Sequence, residues 1–260
     1  QWETLLCRIE EGAAWITLNR PAAQNRVNLQ MATEVRDACH LIRQDDDVRV
    51  VVVTGTGDTF CAGDEDAPST LESQPSVVET TSHMEHRRVA GFLGEIEKPV
   101  VVAVNGDALG HGLEIALACD IRIAATNASM GLPQITQGAI PWDGGTQRFP
   151  RIVGRAWATD LLLTGRVVDA AAALSIGLVH QVVPPGELMA RAKQVAGAIA
   201  AQAPVATRYT KEAILKGMDM TMDQGLRLEV DLNLLLQTTE DRAEGIASFL
   251  ERRPPRYTGA

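Results

Sequence analysis

The first half of the chain alternates between two apolar patterns. Residues 5–9 and 14–18 read as short strands joined by a Glu-Gly turn. Over residues 28–43 the spacing is helical, with Leu29, Met31, Val35, Ala38, Cys39 and Ile42 near one face. Residues 48–54 (VRVVVVT) and 99–104 (PVVVAV) are nearly continuous β-branched runs, and 121–125 is a third candidate. Such runs suit strands covered on both faces, as in a parallel sheet. With helical stretches between them, they predict an α/β fold with right-handed crossovers. After Pro150 the pattern turns helical over 155–164, 168–175, 186–202, 205–217 and 223–238, with one strand-like stretch at 179–183. Residues 66–82 are polar, hold two prolines and read as a loop or lid over a site.

Composition narrows the class. Hydrophobic residues make up 45% of the chain and charged residues 22%, so a packed core is expected rather than disorder. No apolar stretch approaches ~18 residues, which excludes a transmembrane helix. The opening QWETLLCRIEEG has no basic region followed by an apolar run and does not read as a signal peptide. Thirty-three acidic against 24 basic residues, with no basic tract, disfavour nucleic acid as a partner. Cys7, Cys39, Cys61 and Cys119 form no CxxC pair. They read as free thiols in a reducing compartment, the cytoplasm, rather than as a metal site.

Three segments carry candidate chemistry. Residues 55–66 (GTGDTFCAGDED) are glycine-rich after a buried strand, but Phe60 stands where a dinucleotide fingerprint needs its third glycine. The other reading is a turn that aims N–H groups at an anion. Residues 105–119 (NGDALGHGLEIALAC) place Gly106, Gly110 and Gly112 between a strand and a helix start, where free N–H groups and the helix dipole converge. That suits a developing oxyanion, with Glu114 in the helix's first turn. Residues 131–150 (GLPQITQGAIPWDGGTQRFP) repeat the loop, glycine and helix sequence.

Together, GTGDTFCAG, KPVVVAVNGDALGHGLEIALACDIRIA and GAIPWDGGTQRFPRIVG, followed by LLLTGR and GLVHQVV, resemble the crotonase (enoyl-CoA hydratase/isomerase) superfamily across nearly the whole chain. The resemblance implies a spiral of ββα units over residues 1–200. It implies a helical C-terminal trimerisation region over 201–260, and a homotrimer or dimer of trimers. It implies an acyl-CoA thioester as substrate, coenzyme A being part of that substrate and no separate cofactor or metal being needed. It implies an oxyanion hole from the N–H groups of Asp64 and His111. Of the hydratases' two glutamates, the first maps to Glu114 and the second to Gln134, which can hold water but cannot exchange a proton at neutral pH. Asp143 stands where the family's dienoyl-CoA isomerases, haloaromatic dehalogenases and β-diketone hydrolases place a working aspartate. It is the candidate second carboxylate, or else an N-cap on the helix that starts at Gly144.

His111 replaces a glycine of the common GGG run, its side chain lining the pocket or pointing away. Asp64 departs from the common AGxD pattern, and its carboxylate would repel an enolate unless it pointed to solvent. Trp142 is a pocket wall or a core residue. For the coenzyme, the resemblance implies contacts from Arg26, from backbone around Ala62, and from Arg252 and Arg253 reaching a neighbouring subunit's site. The expected reaction is hydration of an α,β-unsaturated acyl-CoA. Double-bond isomerisation and β-keto C–C hydrolysis are the enzymatic alternatives, and an inactive CoA-binding scaffold is the non-enzymatic one.

Overall fold

A computed structural model describes residues 2–65 and 77–260. β1 (Leu5–Glu10) and β2 (Ala13–Leu18) form a hairpin whose turn takes left-handed φ values at Glu11 and Gly12. α1 (Leu29–Gln44) follows, its first turn capped by Asn28, whose side chain accepts from the Met31 N–H at 2.9 Å. Five of the six residues expected on its apolar face are buried; Leu29, at the first helical position, is exposed.

The next elements come in repeating steps. β3 (Val50–Gly55) and β4 (Thr59–Cys61) precede α2 (Val77–His86) and α3 (Val89–Gly94). β5 (Val100–Val104) and β6 (Asp107–Leu109) precede α4 (His111–Ala118). β7 (Ile121–Ala125) and β8 (Ser129–Gly131) precede a 3-10 turn, Pro133–Gln137. Each step adds its first strand to one sheet and its second to another. The sheets therefore read β1-β2-β3-β5-β7-β10 and β4-β6-β8-β9, with β9 at Val168–Asp169 and β10 at Gln181–Val183. This is the expected ββα spiral. The valine runs are inaccessible because the large sheet is covered on both faces. α1, α3 and α4 pack on one side. On the other, Trp15, Val50, Val52, Val101 and Ala103 meet the Leu188, Ala192 and Ala196 face of α7 (Leu188–Ala200).

α5 (Gly145–Thr164) is broken at Gly154, so the helix expected at 155–164 is its second segment. Residues 168 and 169, read as helix, form strand β9, and α6 (Ala170–Ser175) begins after them. The C-terminal helices are α8 (Pro204–Gly217), α9 (Met222–Leu236) and α10 (Glu240–Glu251), the last unforeseen in the sequence. Of the loop expected over 66–82, residues 66–76 lie outside the described residues and Val77 onward is helix α2. Among the described residues, no helix is long and apolar enough to cross a membrane, and no cluster of three or more His, Cys, Asp or Glu could hold a metal ion.

Candidate active site

The glycines of the 105–119 segment have distinct physical duties. Gly110 sits at φ +55°, the left-handed region that favours glycine, and caps α4. A Cβ on Gly112 would lie 2.0 Å from the Cys61 carbonyl oxygen, so α4 crosses the β4 strand end at backbone contact. That crossing sets the start of α4 against residues 61–64. The segment 24–27 runs beside the same residues: Ala62 N–H donates to Gln24 O, Val27 N–H to Gly63 O, and Glu65 N–H to Val27 O. Arg26 and Ala62 are thus brought together, with Arg26 exposed. Arg253 makes its ion pairs with Glu244 and Glu251 inside the C-terminal segment, while Arg252 is an exposed left-handed C-cap of α10.

Glu114 is fully buried in the first turn of α4. Its Oε1 accepts from the Asp143 and Gly145 N–H groups, each at 2.8 Å. Among the described residues its Oε2 has no hydrogen-bond partner. Burial raises the Glu114 pKa, opposed by the charge of His111 and by those two amides. A buried, half-satisfied carboxylate of raised pKa is suited to proton exchange near neutral pH.

Asp64, His111 and Asp143 form a continuous chain. His111 Nδ1 lies 2.7 Å from Asp64 Oδ1, and Nε2 lies 3.0 Å from Asp143 Oδ2. Its side chain is inaccessible to solvent. Burial would drive the imidazole toward neutrality, but hydrogen bonds to Asp143 and Asp64, with their charges, outweigh it and raise the pKa to about 10. Asp64 is also subject to burial, yet its pKa is lowered, chiefly by the hydrogen bond and charge of His111, with help from Trp142 and the Arg87 charge. The His111 and Trp142 rings lie 4.8 Å apart, centroid to centroid. The histidine side chain therefore neither lines an open pocket nor points to solvent, and the Asp64 carboxylate turns to the imidazole. Neither the Asp64 nor the His111 main-chain N–H donates to an acceptor among the described residues.

The Asp143 side chain is not the helix cap that the sequence allowed. The helix that begins after Gly144 receives no side-chain cap. Instead the Asp143 carboxylate accepts from Ala90 N–H at 2.7 Å and Gly91 N–H at 3.1 Å, the start of α3, and Arg88 Nε lies 3.8 Å away. With His111 on the same group, both oxygens are committed. Its side chain is 2% exposed. Arg148 Nη1 donates to the Asp143 carbonyl at 2.8 Å and so fixes the loop that holds Glu114.

Gln134 lies in the 3-10 turn beside Gly110. A Cβ at Gly110 would sit 3.5 Å from Gln134 Nε2, and Gln134 Oε1 is buried without a partner among the described residues. The sequence reading missed Arg87, Arg88 and the two α3 amides. The available signal was the HRRVAG stretch, a pair of arginines preceding a short apolar helix.

A family model described as enoyl-CoA hydratase/isomerase matches residues 8–260. A putative enoyl-CoA hydratase/isomerase, YngF, of Bacillus subtilis (strain 168) is 41% identical over 250 residues, covering 96% of this chain and 95% of the relative. A crotonyl-CoA hydratase of Syntrophomonas wolfei is 39% identical over 265 residues, covering 98% of each. The crystal structure of an enoyl-CoA hydratase from Bacillus anthracis superposes with a TM-score of 0.94 at 35% identity, covering 99% of this chain and 100% of the other.

Proposed function

Because the chain belongs to the enoyl-CoA hydratase/isomerase family, and so is a hydratase-like enzyme of acyl-CoA chemistry rather than a scaffold, we propose that it adds water across an α,β-unsaturated acyl-CoA with one carboxylate, Glu114, as both base and acid. The observation that carries this reading is the unpartnered Glu114 Oε2, held in place by two amides on its other oxygen.

In this mechanism Glu114 Oε2 takes a proton from water as the water oxygen bonds to Cβ. The Cα=Cβ electrons move to the thioester oxygen. The free N–H groups of Asp64 and His111 receive that charge, aided by the positive end of α4. Glu114 then returns the proton to Cα as the enolate collapses. Gln134 orients the water through its amide. Asp143 exchanges no proton; its carboxylate is spent on α3 and His111. That weakens the C–C hydrolase alternative, which rested on this side chain. Arg26 and the Ala62 backbone, which adjoin each other, are proposed to contact the coenzyme, and Arg252 and Arg253 to meet it across a subunit boundary.

One observation favours a second reading. With Gln134 in place of a second glutamate and Asp143 committed, a single proton acceptor remains, which also suits a one-base isomerisation that carries a proton between Cγ and Cα as the double bond shifts. Incubation with a straight-chain 2-enoyl-CoA separates the two. Hydration removes the conjugated thioester absorbance and adds the mass of one water. Isomerisation leaves the mass unchanged and relocates the double bond.

A further inference from the structure

Two departures from the family's common pattern touch each other. Asp64 stands at one oxyanion-hole position and His111 replaces a glycine at the other, and their side chains meet at 2.7 Å. We infer that the His111 side chain is a positioning residue for the thioester enolate: it neutralises the Asp64 carboxylate beside the hole and, through Asp143, fixes the loop whose amides hold Glu114. This rests on the enolate reading above and extends it by giving the imidazole, and not only the His111 N–H, a part in the reaction.

The argument begins with hydrogen-bond inventory. A neutral imidazole has one N–H donor and one acceptor nitrogen. Here both ring nitrogens face carboxylate oxygens, and no solvent reaches the ring. A doubly protonated ring donates to both; a neutral ring would aim its lone pair at an oxygen. The charges facing this cluster are Asp64, Asp143 and Glu114 as anions, with Arg87 acting on Asp64, Arg88 near the Asp143 carboxylate and Arg148 on the Asp143 carbonyl. Without the imidazolium, three carboxylates would surround a site that must accumulate negative charge on oxygen. With it, the Asp64 carboxylate is paired to the imidazole while its N–H remains available. Glycine at position 111 could hold the N–H but not the aspartate, so the two substitutions make sense as a pair. The far end of the chain reaches the start of α3 through Ala90 and Gly91, so the same contacts that fix the hole also fix the Glu114 loop.

The test uses a 3-oxoacyl-CoA, which ionises to an enolate with its own near-ultraviolet absorbance and reports on the hole without turnover. His111→Gln keeps the main-chain N–H and removes the charge. We expect it to raise the ionisation midpoint of the bound ligand by at least ~1 pH unit, a tenfold weaker enolate, with coenzyme affinity little changed. Adding Asp64→Asn should recover most of that shift, a rescue that a purely structural histidine would not give. A midpoint unmoved by His111→Gln, or a shift that Asp64→Asn leaves in place, overturns the inference. If the unaltered enzyme binds the ligand without ionising it, the enolate reading fails and the inference falls with it. A second measurement needs no variant: nitrogen NMR of the unaltered protein should find both His111 ring nitrogens protonated at pH 7, and a neutral ring would overturn the inference.

Discussion

Asp143 meets Glu114 through its main chain: the Asp143 N–H donates to Glu114 Oε1 at 2.8 Å, while the Asp143 carboxylate turns the opposite way to α3 and His111. One residue thus holds the Glu114 carboxylate by its main chain and commits its own carboxylate elsewhere. Glu114→Gln should then lower kcat by at least ~10²-fold with coenzyme binding intact, as expected for loss of an acid/base group. In the unaltered enzyme, the acid limb of kcat/KM should fall above the ordinary glutamate value of 4.5, since burial raises the Glu114 pKa. An acid limb at or below that value would show that another group is the base.

Asp143 variants should separate positioning from catalysis. Asp143→Ala leaves two buried amides without an acceptor and His111 with one partner fewer. The expected cost is about 3–5 kcal/mol, the range for breaking a buried charged contact, seen as a large fall in Tm. Asp143→Asn keeps one acceptor and should fall between. At a temperature where it is fully folded, Asp143→Asn should retain at least tenfold more activity than Glu114→Gln. Equal losses with an unchanged Tm would restore Asp143 as a second carboxylate.

The main sheet was legible in the sequence because its strands are buried on both faces and carry unbroken β-branched runs. The second sheet was not. β4, β6 and β8 are three residues each, too short to show a period, and they pair across spiral steps rather than with chain neighbours. Glu114 and its helix start could be placed from the strand, glycine and helix order alone. The role of Asp143 could not, because its partners Ala90 and Gly91 lie more than fifty residues away and contribute main-chain groups that no side-chain pattern encodes. The His111 contacts were hidden for a related reason: its partners are the side chains of Asp64 and Asp143, 47 and 32 residues away, and no local pattern brings the three together.

The His111 charge should be visible in stability against pH. Its folded-state pKa, about 10, lies above the ordinary 6.5. The stabilisation is therefore complete below about pH 6.5 and is lost as pH rises through about 10. Asp64 has the opposite sign: its pKa is lowered below 3.8, so its contribution is present above that value and disappears as acid protonates the folded state. Tm should decline between pH 7 and 10, and this decline should be weaker in His111→Gln. Identical alkaline slopes in the two proteins would refute the link.

Association of chains is expected from the C-terminal helices. Ile214, Met218, Leu234, Phe249 and Leu250 are each at least 60% exposed in the single chain. Large exposed apolar side chains on three successive helices suit a surface that another chain covers. Light scattering at micromolar concentration should report a trimer or dimer of trimers, and Leu234→Asp should shift the mass downward. The mass of a single chain for the unaltered protein would contradict the expectation.

Gln134→Glu tests whether one carboxylate limits hydration. Gln134 Oε1 is already buried and unpartnered beside Gly110, so a glutamate of nearly the same shape enters without repacking. On the proposed mechanism the two carboxylates would then serve one substrate. Their mutual repulsion, with burial, should keep one of them protonated near neutral pH, which supplies a separate acid and base. We expect hydration of a straight-chain 2-enoyl-CoA to rise by roughly 10–10²-fold, below the full worth of an acid/base group because Glu114 already does part of both tasks. The pH profile should change as well, from one ionisation on the acid side to two coupled ones. A rate that falls instead, with Tm unchanged, would show that the amide N–H of Gln134 makes a bond the reaction needs, and that this enzyme is built for one carboxylate rather than lacking a second.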